Sequence, residues 1–289
     1  MSPHIACGLN FHIDRIEQLP NGPKDMDDLE ESLALAHLGP DLLGAHADPN
    51  FEGTGAMFGG WTAALLTKAA LSLSAPGQSV TSLTIHYMKR VPPGGALRIE
   101  TRCLRRGRAL SHWRCELVDD DHGSVAVSAH VILGQRVKTE CYQDQAMPKT
   151  SGPEALPSTE LPFPCFKIIE TRFESGEKWF SGGSTGSLIW AKFSSHVPLD
   201  APRLAFLSDI NPPRSFYVIA KPRPTPTIMM TLNIFATEAE LTESSRQFVL
   251  CEMCGTRMEE SNSGAVGRIW SRQGKLLATT EQLQWTPPS

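Results

Sequence analysis

Phe58-Gly59-Gly60-Trp61-Thr62-Ala63-Ala64-Leu65-Leu66-Thr67-Lys68-Ala69-Ala70-Leu71-Ser72-Leu73 is the stretch on which the fold turns. It is rich in Ala and Leu, and Lys68 is its single charge. A helix with no polar face is buried on most sides. Ala75-Pro76-Gly77 ends it. Four segments rich in β-branched and aromatic residues follow, Val80 to Met88, Leu97 to Leu104, Leu110 to Val118 and Val125 to Leu133. Pro92-Pro93-Gly94-Gly95, Arg105-Arg106-Gly107 and Asp120-Asp121-His122-Gly123 separate them as turns. The pattern predicts four strands in meander order around one buried helix.

The same pattern recurs about 150 residues later. Strand-like segments at Ile168 to Phe173 and Ser187 to Phe193 precede a second helix, Pro202 to Ile210, which Asn211-Pro212-Pro213 stops. Strands are predicted at Thr227 to Ala236, Gln247 to Thr256, Gly264 to Trp270 and Lys275 to Gln284. A solenoid unit has a period of roughly 20–50 residues, so this spacing speaks instead for two similar domains in tandem. Lys138 to Pro164, with five prolines and little apolar periodicity, reads as the linker. The expected organisation is a first domain over 1–137, a linker over 138–164 and a second domain over 165–289. The fold class is α+β, each half a helix packed on an antiparallel sheet, and the two sheets can pair edge to edge, which removes an exposed edge. Before the first copy, Ile13 to His37 is predicted to hold a strand and a short helix, the latter in Asp28 to Leu35.

Composition excludes several classes. The net charge of −4 is unlike that of a nucleic-acid binder. No apolar stretch approaches the roughly 18 residues that a membrane span needs. Met1 to Gln18 lacks a basic segment followed by an apolar core, so no signal peptide is expected. Seven cysteines without such a signal point to free thiols in a reducing, cytoplasmic compartment. Cys251 and Cys254, the close pair, have no neighbouring His or second Cys pair, so no metal site is expected. His86, His112 and His130 share no common spacing and read as structural.

The order and spacing of these segments resemble the acyl-CoA thioesterase II family, whose fold is a tandem, or double, hotdog. Phe58 to Leu65 looks like its glycine-pair helix start, and Ser82 to Gly94 like the strand and turn that follow. In the second half, Leu188 to Lys192, Leu204 to Asp209 and Leu276 to Gln282 match family segments in order. The resemblance implies hydrolysis of fatty acyl-CoA without a cofactor, in homodimers or larger homo-oligomers, within fatty acid metabolism. It places a catalytic carboxylate at Asp209, a hydroxyl at Thr227 and an amide at Gln282. Thr231, apart from that carry-over, is an oxyanion or substrate-binding candidate. Met229 stands where members often have an acidic residue.

These residue types suit thioester hydrolysis. An Asp can take a proton from water, and a Gln and a Thr can hold that water in one orientation. Gly182-Gly183-Ser184-Thr185-Gly186 has Gly-x-Ser-x-Gly spacing, but it reads as a loop ahead of a strand and not as the strand-to-helix elbow that presents a covalent nucleophile. Amides at the Gly59-Gly60 helix start are candidates for holding the oxyanion, since helix N-termini favour negative charge and glycine admits close approach. Arg105, Arg106 and Arg108 are candidates for the phosphates of coenzyme A, though a solvated hairpin accounts for the same cluster. A dehydratase or cyclase acting on a thioester or polyketide-like substrate, and a non-catalytic acyl-binding module, are the alternatives on this scaffold.

Overall fold

The computed structural model describes residues 29–119, 123–195 and 197–288. The expected strand within 13–28 and the turn at 120–122 lie outside these. Short helix α1, Leu29–Ser32, opens the described chain, and β1, Ala36–Gly39, pairs with β2, Leu42–His46. The first copy is α2, Gly59–Ser72, then β3, Gln78–Tyr87, β4, Ala96–Arg106, β5, Leu110–Asp119, and β6, Ser124–Gln135. Residues 136–168 hold no strand, only 3-10 turns at Pro153–Ala155 and Pro164–Phe166. The second copy is β7, Ile169–Ser175, β8, Ser187–Phe193, α3, Ala201–Leu207, β9, Thr227–Ile234, α4, Glu238–Ser244, β10, Val249–Glu259, β11, Asn262–Trp270, and β12, Leu276–Trp285.

Among the described residues twelve strands form one antiparallel sheet in the order β1-β2-β4-β5-β6-β3-β9-β12-β11-β10-β8-β7. The two halves join at β3 and β9, where Leu83 lies opposite Leu232 and Ile85 opposite Met230. The first half is not a simple meander. β3 pairs with β6 rather than with β4, which follows it in sequence. Pairing with both β6 and β9 gives β3 two neighbours and leaves no unpaired edge at the middle of the molecule.

The sheet wraps helices α2 and α3. In α2, Trp61, Ala63, Ala64, Leu65, Leu66, Ala69 and Ala70 are all fully buried. Its hydroxyls are satisfied locally, Thr67 Oγ1 donating to Ala63 O at 2.7 Å, and Trp61 Nε1 donates to Ser32 Oγ at 3.0 Å. The absence of a polar face is thus explained by burial on all sides, and truncating Trp61 to Ala removes a packing contribution of about 3–5 kcal/mol. In α3, Asp200 caps the first turn by accepting from Arg203 N at 2.8 Å. A capping box at Thr237 and Glu240 starts α4, an element without a counterpart in the expected pattern. Among the described residues no helix is long and apolar enough to cross a membrane.

Candidate active site

The start of α2 and the end of α3 meet over the inner face of β12. Past Leu207 the helix tightens into i→i+3 bonds, Asp209 N to Phe206 O at 3.3 Å and Ile210 N to Leu207 O at 3.4 Å. This brings the Asp209 side chain to the α2 N-terminus. There the Gly60 amide donates to the carboxylate. Gly59 packs so closely that a Cβ on it would sit 2.7 Å from Asp209 Oδ2. Only glycine leaves that room.

From the sheet, Gln282 Nε2 donates to Asp209 Oδ1 and to Ser208 O, both at 3.0 Å, and reaches Met230 Sδ at 3.5 Å. Ser208 Oγ also approaches Met230 Sδ, at 3.4 Å. Thr280, Gln282 and Gln284 alternate on the buried face of β12, and Gln284 Nε2 donates to Gln282 Oε1 at 3.3 Å. The amide is therefore fixed from both ends.

Tyr87 closes the other side. Its hydroxyl donates to Gly59 O at 2.9 Å, and its ring lies 3.6 Å from where a Gly59 Cβ would stand. Burial, then the nearby Asp209 charge, raises the Tyr87 pKa well above its ordinary value. Burial likewise pushes the Cys165 thiol up, with Asp209 adding to it.

Asp209 itself is pushed up to about 7. Desolvation is the main cause, and the hydrogen bonds from Gln282 and Gly60 oppose it only in part. Among the described residues no Lys or Arg forms an ion pair with it. The residue as a whole is half-buried. A carboxylate with a pKa near 7 suits a general base at neutral pH.

Of the expected residues, Asp209, Gln282, Gly59 and Gly60 come together. The Gly60 amide already serves Asp209, which differs from the free oxyanion donor that was expected. Thr227 starts β9 opposite Gln284, and the register shifts between Leu283 and Gln284. Directly opposed residues share a face, so the bulge turns Thr227 to the side that carries Gln282 and Gln284. It lies about 7 Å along the strands from the Gln282 position and makes no hydrogen bond to Asp209 or Gln282.

Thr231 is not part of this group. It neighbours buried Met230 and Leu232 in β9, so alternation points it to the opposite, outer face. There its hydroxyl meets Thr84 Oγ1 at 3.5 Å. Arg105, Arg106 and Arg108 are not brought to the site either. Their hairpin joins β4 to β5 beside Gly134, and Gly134 and Gln135 pair with the Gln78 end of β3. Tyr87 is nine residues along that strand, about 30 Å away. Arg106 instead covers the Trp113 ring, with 5.5 Å to its centroid. The cations that directly follow Tyr87 are Lys89 and Arg90.

Tyr87, Ser208 and Gln284 also reach this group, and the sequence alone does not single them out. The alternation Thr280-x-Gln282-x-Gln284 was a visible sign that the inner face of the last strand is polar. The alternation Leu83-x-Ile85-x-Tyr87 likewise put the tyrosine on the inner face.

Two family models match the sequence, the acyl-CoA thioesterase N-terminal domain over residues 47–134 and the acyl-CoA thioesterase C-terminal domain over residues 143–285. The chain belongs to the acyl-CoA thioesterase family. No curated protein matches it. Among solved structures, a hot dog fold protein of unknown function from Alicyclobacillus acidocaldarius is similar, with a TM-score of 0.84 and 23% identity, over 90% of this chain and 98% of that one. The tesB protein of Mycobacterium avium subspecies paratuberculosis gives a TM-score of 0.77 at 19% identity, over 91% of this chain and 100% of that one. The acyl-CoA thioesterase II TesB2 of Mycobacterium marinum gives 0.72 at 18%, over 91% of this chain and 99% of that one. These likenesses carry the double hotdog fold of this acyl-CoA thioesterase family member, while its site rests on its own residues.

Proposed function

We propose that this protein hydrolyses an acyl-CoA thioester with a water activated by Asp209. The observation that carries the reading is the Asp209–Gln282 pair at 3.0 Å, set against a glycine helix start with the carboxylate at a pKa of about 7. The water oxygen attacks the thioester carbonyl carbon as its proton passes to Asp209. The C–S bond then breaks, the thiolate takes a proton, and a carboxylic acid and free thiol leave.

Gln282 holds the carboxylate in place, and Thr227, on the same face, helps to orient the water. First-turn amides of α2 lack intrahelical acceptors and face the position where the oxyanion forms, with Gly60 shared between that role and Asp209. Tyr87 acts on the helix start through Gly59 O rather than on the substrate. Lys89 and Arg90, at the same strand end, are better placed for the phosphates of coenzyme A than the Arg105 hairpin.

The test is thiol release across a panel of acyl-CoAs. Turnover is expected for the wild type, with kcat/KM rising as pH increases through about 7, and a large loss in Asp209→Ala and Gln282→Ala. A wild type that binds acyl-CoA but releases no thiol would make the protein a binding module instead.

A further inference from the structure

On the outer face of the first copy, away from the helices, two imidazoles meet. His112 on β5 projects beside Arg114, which lies opposite His130 on β6, so the two histidines are diagonal neighbours on one surface. His112 Nδ1 and His130 Nε2 are hydrogen-bonded at 3.3 Å, one ring N–H donating to the other ring's lone pair, and a metal ion would take the place of that shared proton. The ring centroids are 5.4 Å apart with planes at 33°, so the contact is nitrogen to nitrogen and not ring over ring.

We propose that His112 and His130 bind a divalent transition-metal ion of the zinc type. Two imidazole nitrogens on one tetrahedral zinc, at Zn–N bonds of about 2.0–2.1 Å, are about 3.4 Å apart. The pair already has that spacing without rearrangement of the sheet. The β5–β6 ladder, in unbroken register from Leu110 to Leu117, holds both Cα positions. A metal ligand must present a neutral imidazole lone pair.

The surroundings set the strength. Arg114 Nε donates to Glu116 Oε2 at 3.1 Å, and Glu116 Oε1 accepts from Ser128 at 3.1 Å, so this carboxylate is engaged. Arg105 lies opposite His112, and Thr84 lies opposite His130. Among the described residues no group of three or more His, Cys, Asp or Glu side chains is arranged to hold a metal. The site is therefore two-coordinate from protein, with water completing the shell and two arginines opposing the added charge. Its affinity is modest, and it lies on the opposite face of the sheet from Asp209.

Calorimetric titration of the full chain with zinc ion alone, at pH 7.5, tests this. One ion per chain is expected, with a dissociation constant between about 1 µM and 1 mM. His112→Ala and His130→Ala should each weaken it by about tenfold or more, as should lowering the pH to 5.5, where imidazoles protonate. His112→Asn and His130→Asn serve if an alanine variant is less stable in chelator. In the wild type, the imidazole NMR signals of His112 and His130 should shift first as zinc is added. No binding up to 1 mM, unchanged binding in both single variants, or shifts confined to other histidines would overturn the proposal.

Discussion

Helices α2 and α3 create two junctions, and their chemistry is opposite. Where α2 begins, Asp209 from the end of α3 is held by the Gln282 amide and the Gly60 N–H, with no cation paired to it among the described residues. Where α3 begins, charges close on one another. Lys68 of α2 pairs with Glu30 at 2.5 Å, Arg203 lies 3.8 Å from Glu30, and Arg203 pairs with the helix cap Asp200 at 2.8 Å. Asp200 at a helix start and Lys68 toward a helix end both suit the helix dipoles. Asp209 follows the C-terminal end of α3, where the dipole disfavours its charge, and gains it back only in part from the start of α2. One junction is an ion cluster that ties elements together. The other keeps a carboxylate poised between its protonated and charged forms.

The largest effect expected from this contrast is on activity. Asp209→Ala should lower kcat/KM for thiol release by about 10²–10⁴-fold, the span of general acid–base catalysis. Loss of less than tenfold would mean that the far junction, or another group, does the chemistry.

Next comes stability against pH. A folded pKa raised from 3.8 to about 7 means that the native state binds the proton more tightly than the unfolded chain. Stability from this group is full below pH 3.8 and is lost as pH rises through about 7. Denaturant titrations should show Asp209→Asn losing this slope, with a relative gain at pH 8 of at most about 4 kcal/mol and none near pH 3. A slope unchanged in the variant would refute the raised pKa.

The glycine pair separates catalysis from folding. A Cβ on Gly60 would meet Phe206 O at 2.6 Å, backbone that cannot swing aside. Gly60→Ala should therefore cost about 1–3 kcal/mol in urea unfolding. On Gly59 the Cβ would meet the tip of Asp209 instead, at 2.7 Å. Gly59→Ala should leave stability within about 1 kcal/mol and yet depress turnover, because the carboxylate moves. Equal stability losses in the two variants would contradict this division.

The smallest effect belongs to the far junction. Glu30 and Lys68 are partly exposed, so Glu30→Gln should change stability by about 0–1 kcal/mol and leave turnover as it is. A drop in turnover there would show that the two junctions are coupled.

Much of this architecture was legible beforehand because its signals are local. The α2 run lacks a polar face, and burial is the only stable outcome for such a helix. The strand segments alternate and are cut by Gly and Pro turns, so their existence and approximate ends could be read. Asp209 and Gln282 were legible through resemblance, although they are 73 positions apart and nothing local links them. The errors came from long-range facts. Composition alone allows Thr231 beside the site, but the buried positions Met230 and Leu232 decide its face. The arginine hairpin was a plausible phosphate site by composition, and the strand register moved it to the far end of β3. Tyr87 was overlooked because a tyrosine ending a strand says nothing by itself about which helix start it will touch.

The sequence alone determined the duplicated helix-and-strand pattern, the buried helices and the residue types able to activate water. These follow from periodicity and side-chain chemistry, which act over a few neighbouring residues. Only the tertiary structure decided that β3 joins β9 at the centre, that one carboxylate meets a glycine helix start with no cation paired to it among the described residues, and that its equivalent junction is closed by charge. Those outcomes depend on which strand ends and helix ends come into contact, and desolvation shifts a pKa only once the surrounding protein has assembled around the group.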